Sequence, residues 1–256
     1  MIMDRPRPLV TAITPFLDPP EPAFRDAIES VLAQSYRPLE YILVDDGSDP
    51  SLAKRLAREF KDNDVRMRWI QHPSATNEGI SASRNLGVAE ASGVYVAFLD
   101  ADDVWLAHKI QRQVEIMETH PDVAMVFGQT LFWNDHSVSN QQRRRDFIPV
   151  HSDHKPRKYL PPEYFLRIMR GKAVIPSISN FMLRREMLNA CGGFEDEFRT
   201  HHEDQVVVAK ICLENSVYAI DECLVKYRQH DASICRQANH RRSVLARRRF
   251  LLWLEH

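Results

Sequence analysis

The chain predicts an α/β fold with a Rossmann-like, mostly parallel central sheet flanked by helices, and two regularities predict it. Short apolar, β-branched runs end abruptly in polar turns, and between them apolar residues recur at helical spacing. Strands separated by helices pair in parallel, and such sheets gather ligands beyond the carboxyl ends of their strands.

Leu9 to Thr14, stopped by Pro15, reads as the first buried strand, and Tyr41 to Val44, before Asp45-Asp46-Gly47-Ser48, as the second. Between them Ala23, Ala27, Ile28, Val31 and Leu32 share a helical face, with Pro22 suited to a first turn and acidic Glu21 and Asp26 near its positive end. The alternation continues with a helix at about 51–60, a strand at 65–71, a helix at 80–91 and a strand at 94–99. A helix at about 107–119, a strand at 123–127, a helix near 163–169, an apolar-rich stretch at 178–183, a helix opening at Glu203-Asp204 and a strand at 217–220 follow. Between Asn134 and Pro162 the periodicity dissolves, and Arg143-Arg-Arg145, three histidines and several prolines predict a mobile loop.

With 256 residues, 44% of them apolar, the chain suffices for one substantial core, so a single domain over 1–235 is the economical expectation. Its 34 basic and 35 acidic side chains nearly cancel, so no field of one sign recruits nucleic acid, which is not expected as a partner. Cys191, Cys212, Cys223 and Cys235 lack the spacing of a zinc site and the density of a disulfide scaffold, which fits a cytoplasmic setting. No run reaches the roughly 20 apolar residues of a membrane span, and the proline-broken start is no signal peptide. Residues 236–253 carry six arginines among apolar residues and no acid. That pattern suits a basic amphipathic helix in peripheral contact with the inner face of a cell membrane, or equally a helix packed on the domain. Leu254-Glu255-His256 reads as the start of a purification tag.

The most informative segment is Phe98-Leu-Asp-Ala-Asp-Asp-Val-Trp105, where Asp100, Asp102 and Asp103 follow directly on an apolar strand. Packing cannot account for such neighbours; their repulsion is relieved by a divalent cation or by several hydrogen-bond donors. A cation there also suits a sugar diphosphate, whose oxygens it bridges. A solvated turn, with Asp100 or Asp102 capping the next helix, is the plain alternative.

Ordered matches extend from about Leu9 to His230. They run through Ser30-Val-Leu-Ala-Gln34, Tyr36, Glu40 and Val44-Asp-Asp-Gly-Ser48, then Asn77-Glu-Gly79, Ser83-Arg-Asn-Leu-Gly87 and Ala91-Ser-Gly93. Phe98 to Trp105 with Lys109-Ile-Gln-Arg-Gln113 comes next, then Gly192-Gly-Phe194, Glu203-Asp204 and Tyr227-Arg-Gln-His230. Singly these are weak words; in this order they resemble glycosyltransferase family 2, of the inverting, cell-envelope polysaccharide type.

The resemblance implies a GT-A fold with a nucleotide-binding half at about 8–103 and an acceptor-side half at about 104–235. It implies transfer of a sugar from a nucleoside-diphosphate sugar, expected to be UDP-linked, to a hydroxyl of a glycan or lipid-linked acceptor. Asp204 matches the family's base and Glu203 an acceptor-orienting neighbour, with helix capping as the alternative for the pair. Asp46 matches the nucleobase contact, or else forms a turn, and Thr14, Pro15 and Phe16 line the same pocket. The family's aromatic-Asn pair after this proline is replaced by Phe16-Leu17-Asp18, leaving Phe16 as the substitute for base stacking. Asn77, Gly79, Asp100, Ala101 and Asp102 complete the nucleotide-sugar set, which Arg84 and Arg228 join as diphosphate ligands unless they instead brace the fold through carboxylates. Asp102 is the first choice for a metal, Mn2+ or Mg2+, with Asp103 and His230 as further ligands; which aspartate does what is open.

Trp105 and His201-His202 take plainer readings, as core and as neighbours of the catalytic helix. Two other functions compete. A nucleotidyltransferase would carry a glycine-rich, basic loop where Thr14-Pro-Phe-Leu-Asp18 stands. A nucleotide-sugar-binding domain without turnover would not need both the acidic triplet and Glu203-Asp204.

Overall fold

The computed structural model describes residues 6–60, 63–134, 145–149, 156–199, 202–229 and 240–255. Strands β1 (Val10–Phe16), β2 (Leu39–Asp45), β3 (Arg66–Gln71) and β4 (Tyr95–Phe98) pair in parallel in the order β3-β2-β1-β4. Helices α1 (Glu21–Leu32), α2 (Pro50–Glu59) and α3 (Ile80–Glu90) return the chain to the same sheet end each time, so the carboxyl ends of these strands share one rim.

Beyond β4 the sheet becomes mixed. After β5 (Val104–Trp105) and α4 (Lys109–Thr119) come β6 (Val123–Asn134), β7 (Arg157–Tyr159), α5 (Glu163–Met169) and β8 (Met182–Arg184). Then follow α6 (Arg185–Ala190), α7 (Glu203–Glu214), β9 (Ser216–Gln229) and α8 (His240–Trp253). β8 lies antiparallel between β4 and β6, β6 is parallel to β9, and β5 and β7 pair antiparallel with β9. The described residues thus form one nine-stranded sheet, parallel through β4 as the helix-strand alternation requires and mixed thereafter.

Side chains alternate between two cores, the period-two rule of a strand. Val10, Ala12, Tyr41, Leu43, Tyr95 and Ala97 face a layer that includes α1 and α4. Ile13, Ile42, Val44, Val96 and Phe98 face the other, built with α5 and α7. Gly87 lets α3 settle onto β1: a Cβ there would lie 2.5 Å from Ile13 Cγ2.

Two strands exceed their sequence signal. β6 was expected to end at Phe127 and β9 at Ile220, but Gly128-Gln129-Thr130 and Asp221-Glu222, polar enough to read as turns, continue the ladder through register shifts between Phe127 and Thr130. The predicted loop after Asn134 is partly ordered, since Phe147 exchanges backbone hydrogen bonds with Phe132 and Arg157–Tyr159 joins β9. Arg143, Arg144 and the histidines of that stretch lie outside the described residues.

At the opposite edge from the rim, the fully buried carboxylate of Glu40 accepts from Thr11 Oγ1 and the Ser92 amide, both at 2.9 Å, and from Arg68 at 3.3 Å. Glu40→Ala is expected to cost about 3 kcal/mol by stranding these donors, while turnover per folded molecule stays unchanged. Denaturant unfolding and steady-state assays on the same preparation check both halves.

Candidate active site

The rim after β2 is shaped by paired aspartates with different tasks. Asp45 Oδ1 accepts from the amides of Gly47 (3.1 Å) and Ser48 (2.7 Å), closing the turn by itself. Asp46 points across to the loop before α3, where its carboxylate accepts from the amides of Glu78 (2.9 Å) and Gly79 (3.2 Å) near the helix's positive end. Turn formation therefore belongs to Asp45. Gly47, at φ 93°, must be glycine because a Cβ would sit 2.8 Å from the Asn77 amide. Gly79, at φ 99°, and Asn77 are clasped by Arg199, which donates to the Asn77 carbonyl at 3.1 Å.

Thr14 Oγ1 accepts from the Tyr41 hydroxyl at 3.0 Å, and Pro15 stands beside Val44 in the ladder. Phe16 corrects an expectation. It is 4% exposed and packs at 4.9 Å from Phe24 and 4.7 Å from Trp69, so its faces serve the core and not a base.

The acidic turn after β4 sorts its carboxylates by environment. Asp103 is 1% exposed, and both its oxygens are taken, one by Ser179 Oγ at 2.6 Å and one by the Arg228 amide at 2.9 Å. Burial, followed by the charges of Asp102 and Asp100, pushes its carboxyl well above the usual range. Asp100 is raised to about 6, chiefly by burial, against the pull of Arg84 Nη2 at 2.8 Å. Ala101 and Asp102 are half-buried at the rim, and the Asp102 carbonyl accepts from Arg228 Nε at 2.8 Å.

Arg84, on α3, has no solvent contact and bridges two elements: Nη2 holds Asp100, and Nη1 holds Glu203 Oε1 at 3.2 Å, while Phe194 lies under the guanidinium. Arg228 is similarly engaged, donating to Asp26 Oδ2 at 2.6 Å and lying over Trp133. Beside Glu203, the Asp204 carboxyl is raised to about 7 by burial first and by the Glu203 charge second. The two sites meant for diphosphate guanidinia thus carry internal ion pairs, and Arg84 draws the acidic turn and the Glu203-Asp204 pair into one site.

No group of three or more His, Cys, Asp or Glu side chains able to hold a metal occurs among the described residues, and His230 lies outside them. Asp103 accepts one hydrogen bond at each oxygen and Asp100 is paired with Arg84, and the carboxylates of this turn are oxygen donors of the kind a hard cation would take. Sequence reasoning missed Ser179, whose hydroxyl accepts from the Asp100 amide at 3.1 Å while donating to Asp103. The available signal was Ser179-Asn180, two polar residues inside an apolar run, both fully buried. It also missed Asp26 as the partner of Arg228. Trp105 is core, 2% exposed, with Nε1 donating to the Ser179 carbonyl at 2.8 Å.

The family model described as Glycosyl transferase family 2 matches residues 11–192, a span that holds the acidic turn and stops short of Glu203. An uncharacterized glycosyltransferase of Methanocaldococcus jannaschii is 28% identical over 233 residues, covering 89% of this chain and 73% of its own. The O-antigen biosynthesis protein RfbC of Myxococcus xanthus is 27% identical over 194 residues, 75% of this chain but 14% of that protein. Among solved structures, S. aureus TarS 1-349 in complex with UDP-GlcNAc superimposes with a TM-score of 0.69 at 18% identity, covering 90% of this chain and 61% of that one. With a family match across more than half its length and the same mixed α/β architecture, the chain belongs to glycosyltransferase family 2 and is a glycosyltransferase.

Proposed function

We propose that the chain is an inverting transferase that moves a sugar from a nucleoside-diphosphate sugar onto an acceptor hydroxyl, with Asp204 as base. The observation that carries this is the Arg84 bridge, which sets a carboxyl poised near neutrality beside the acidic turn. The acceptor oxygen attacks the anomeric carbon as the bond to the diphosphate oxygen breaks, and its proton passes to an Asp204 oxygen. Glu203, fixed by Arg84, orients the acceptor. The UDP-GlcNAc bound by TarS supports a uridine-linked donor, and the O-antigen role in the name of RfbC supports a cell-envelope glycan or its lipid-linked precursor as acceptor.

On the donor side, Asp46 holds the turn before α3 and keeps acceptor capacity for a ring N–H, since a carboxylate offers about four lone-pair sites. Asp102 would hold a Mn2+ or Mg2+ ion, which would supply positive charge to the departing diphosphate. Asp103 braces the turn from beneath, and Asp100 with Arg84 keeps it oriented.

The rate of transfer is expected to rise with pH through about 7, where Asp204 loses its proton, and to level off above. Asp204→Asn should abolish transfer while retaining donor binding; full activity in this variant would remove Asp204 from the reaction. Arg84→Gln should move the rate profile to higher pH, because the cation that lowers the Asp204 carboxyl is gone, and should cost about 3–5 kcal/mol of stability by exposing two carboxylates to each other. pH-rate curves of matched folded fractions test the shift.

Asp100 and Asp204 have folded-state values above the unfolded 3.8, so their contribution to stability is complete below that pH and is lost as pH rises through about 6 to 7. Without metal, the melting temperature is expected to fall between about pH 4 and 7 and to level off above, and manganese with a UDP-sugar should restore it at pH 8 by mass action. A thermal-shift panel that found no metal requirement for donor binding would argue against Asp102 as a ligand.

A further inference from the structure

A cavity of about 220 Å³ is enclosed by Phe165 and Ile168 of α5, Val208 of α7, and Phe250 and Leu251 of α8. All three helices belong to the second half of the chain, so its occupant is not the nucleotide. His202 and Gln205 line it from either side of Glu203-Asp204, and Arg247 lines it from α8. Two of these polar groups stand out among the described residues. His202 Nδ1 is buried without a hydrogen bond, and Arg247 pairs with no carboxylate among the described residues. An unpaired buried nitrogen costs roughly 1–3 kcal/mol, which a ligand accepting or donating there would recover.

Most of the lining side chains are apolar, and the volume is on the order of seven times the ~30 Å³ share of a liquid water, enough for a short chain of methylenes. Leu251, 41% exposed, marks the mouth, and the outward face of α8 continues from it through Val244, Leu245 and Leu252, all exposed. An apolar slot with a cation at its wall and an apolar approach fits an amphiphile. We infer that the cavity is the acceptor subsite for the first methylenes of a lipid-linked acceptor, with Arg247 and His202 holding the anionic phosphate that joins lipid to glycan. The hydroxyl to be glycosylated then lies toward Asp204, one helical residue from the cavity wall.

The role as acceptor site rests on the transferase reading; the binding itself does not, so it is measured without donor. Octyl phosphate is the probe, with inorganic phosphate and octanol as head-only and tail-only controls, and calorimetry as the readout. The whole chain should bind octyl phosphate saturably and at least about tenfold more tightly than either control. Arg247→Gln and Leu251→Asp, both at exposed positions that folding tolerates, should each weaken it roughly tenfold, while UDP-sugar binding stays unchanged. Octyl phosphate affinity equal to that of inorganic phosphate, or unmoved by both substitutions, overturns the inference even if transfer activity is found. Loss of transfer activity with octyl phosphate binding intact would instead count against the transferase reading alone.

Discussion

A guanidinium with no solvent contact needs counter-charge and acceptors, and Arg84 takes one carboxylate from each side of the site through its two Nη groups, while its buried Nε has no hydrogen-bond partner in the structure. Asp100 comes from the end of a parallel strand and Glu203 from the first turn of a helix more than a hundred residues later. Neither half can move away without leaving a buried charge unpaired, a loss comparable to a large share of a domain's net stability. The geometry of the active site is therefore a condition of folding. Phe194 under the same cation, and Asn85 holding the Phe194 amide at 2.9 Å, extend the constraint to the segment that leads into α7.

Around that bridge the acidic turn is less a reservoir of free charge than its sequence suggests. Of its carboxylates, Asp103 accepts from Ser179 and a strand amide and Asp100 is paired with Arg84, so two of the three are already engaged within the protein. Arg228 completes the support from the other side by holding the Asp102 carbonyl and reaching Asp26 on α1. A loop braced this way holds its carboxylates in place without needing to rearrange.

Much of this was legible in the residues. Strand and helix order in the first half followed from periodicity because β1, β2, β4, α1 and α3 bury apolar residues at the spacing of their element, and the acidic turn stood out because an apolar strand gives carboxylates no reason to be there. What was not legible depended on partners distant in the chain. Nothing near Arg84 says that its guanidinium is spent on Asp100 and Glu203, and nothing near Phe16 says that Phe24 and Trp69 close over it. The long β6 and β9 hid behind polar residues whose exposure on one face is compatible with a ladder. The C-terminal helix packs Phe250 and Trp253 on the core, as one of its two sequence readings had it, while Val244, Leu245 and Leu252 are exposed. Leu254, read as tag, also packs against that core.

On the proposed assignment of Asp46 to the nucleobase, the donor end of the site has a mechanical link to the reaction end. Its carboxylate secures the turn that launches α3, and α3 carries Arg84 a short way along. A lineage that altered the base preference through position 46 would thereby loosen the helix that aligns Glu203, so donor choice and proton transfer are not free to diverge independently. Retuning this enzyme toward another nucleotide is better sought at neighbours that touch the base without bearing on α3, leaving the aspartate as the fixed point about which specificity is adjusted.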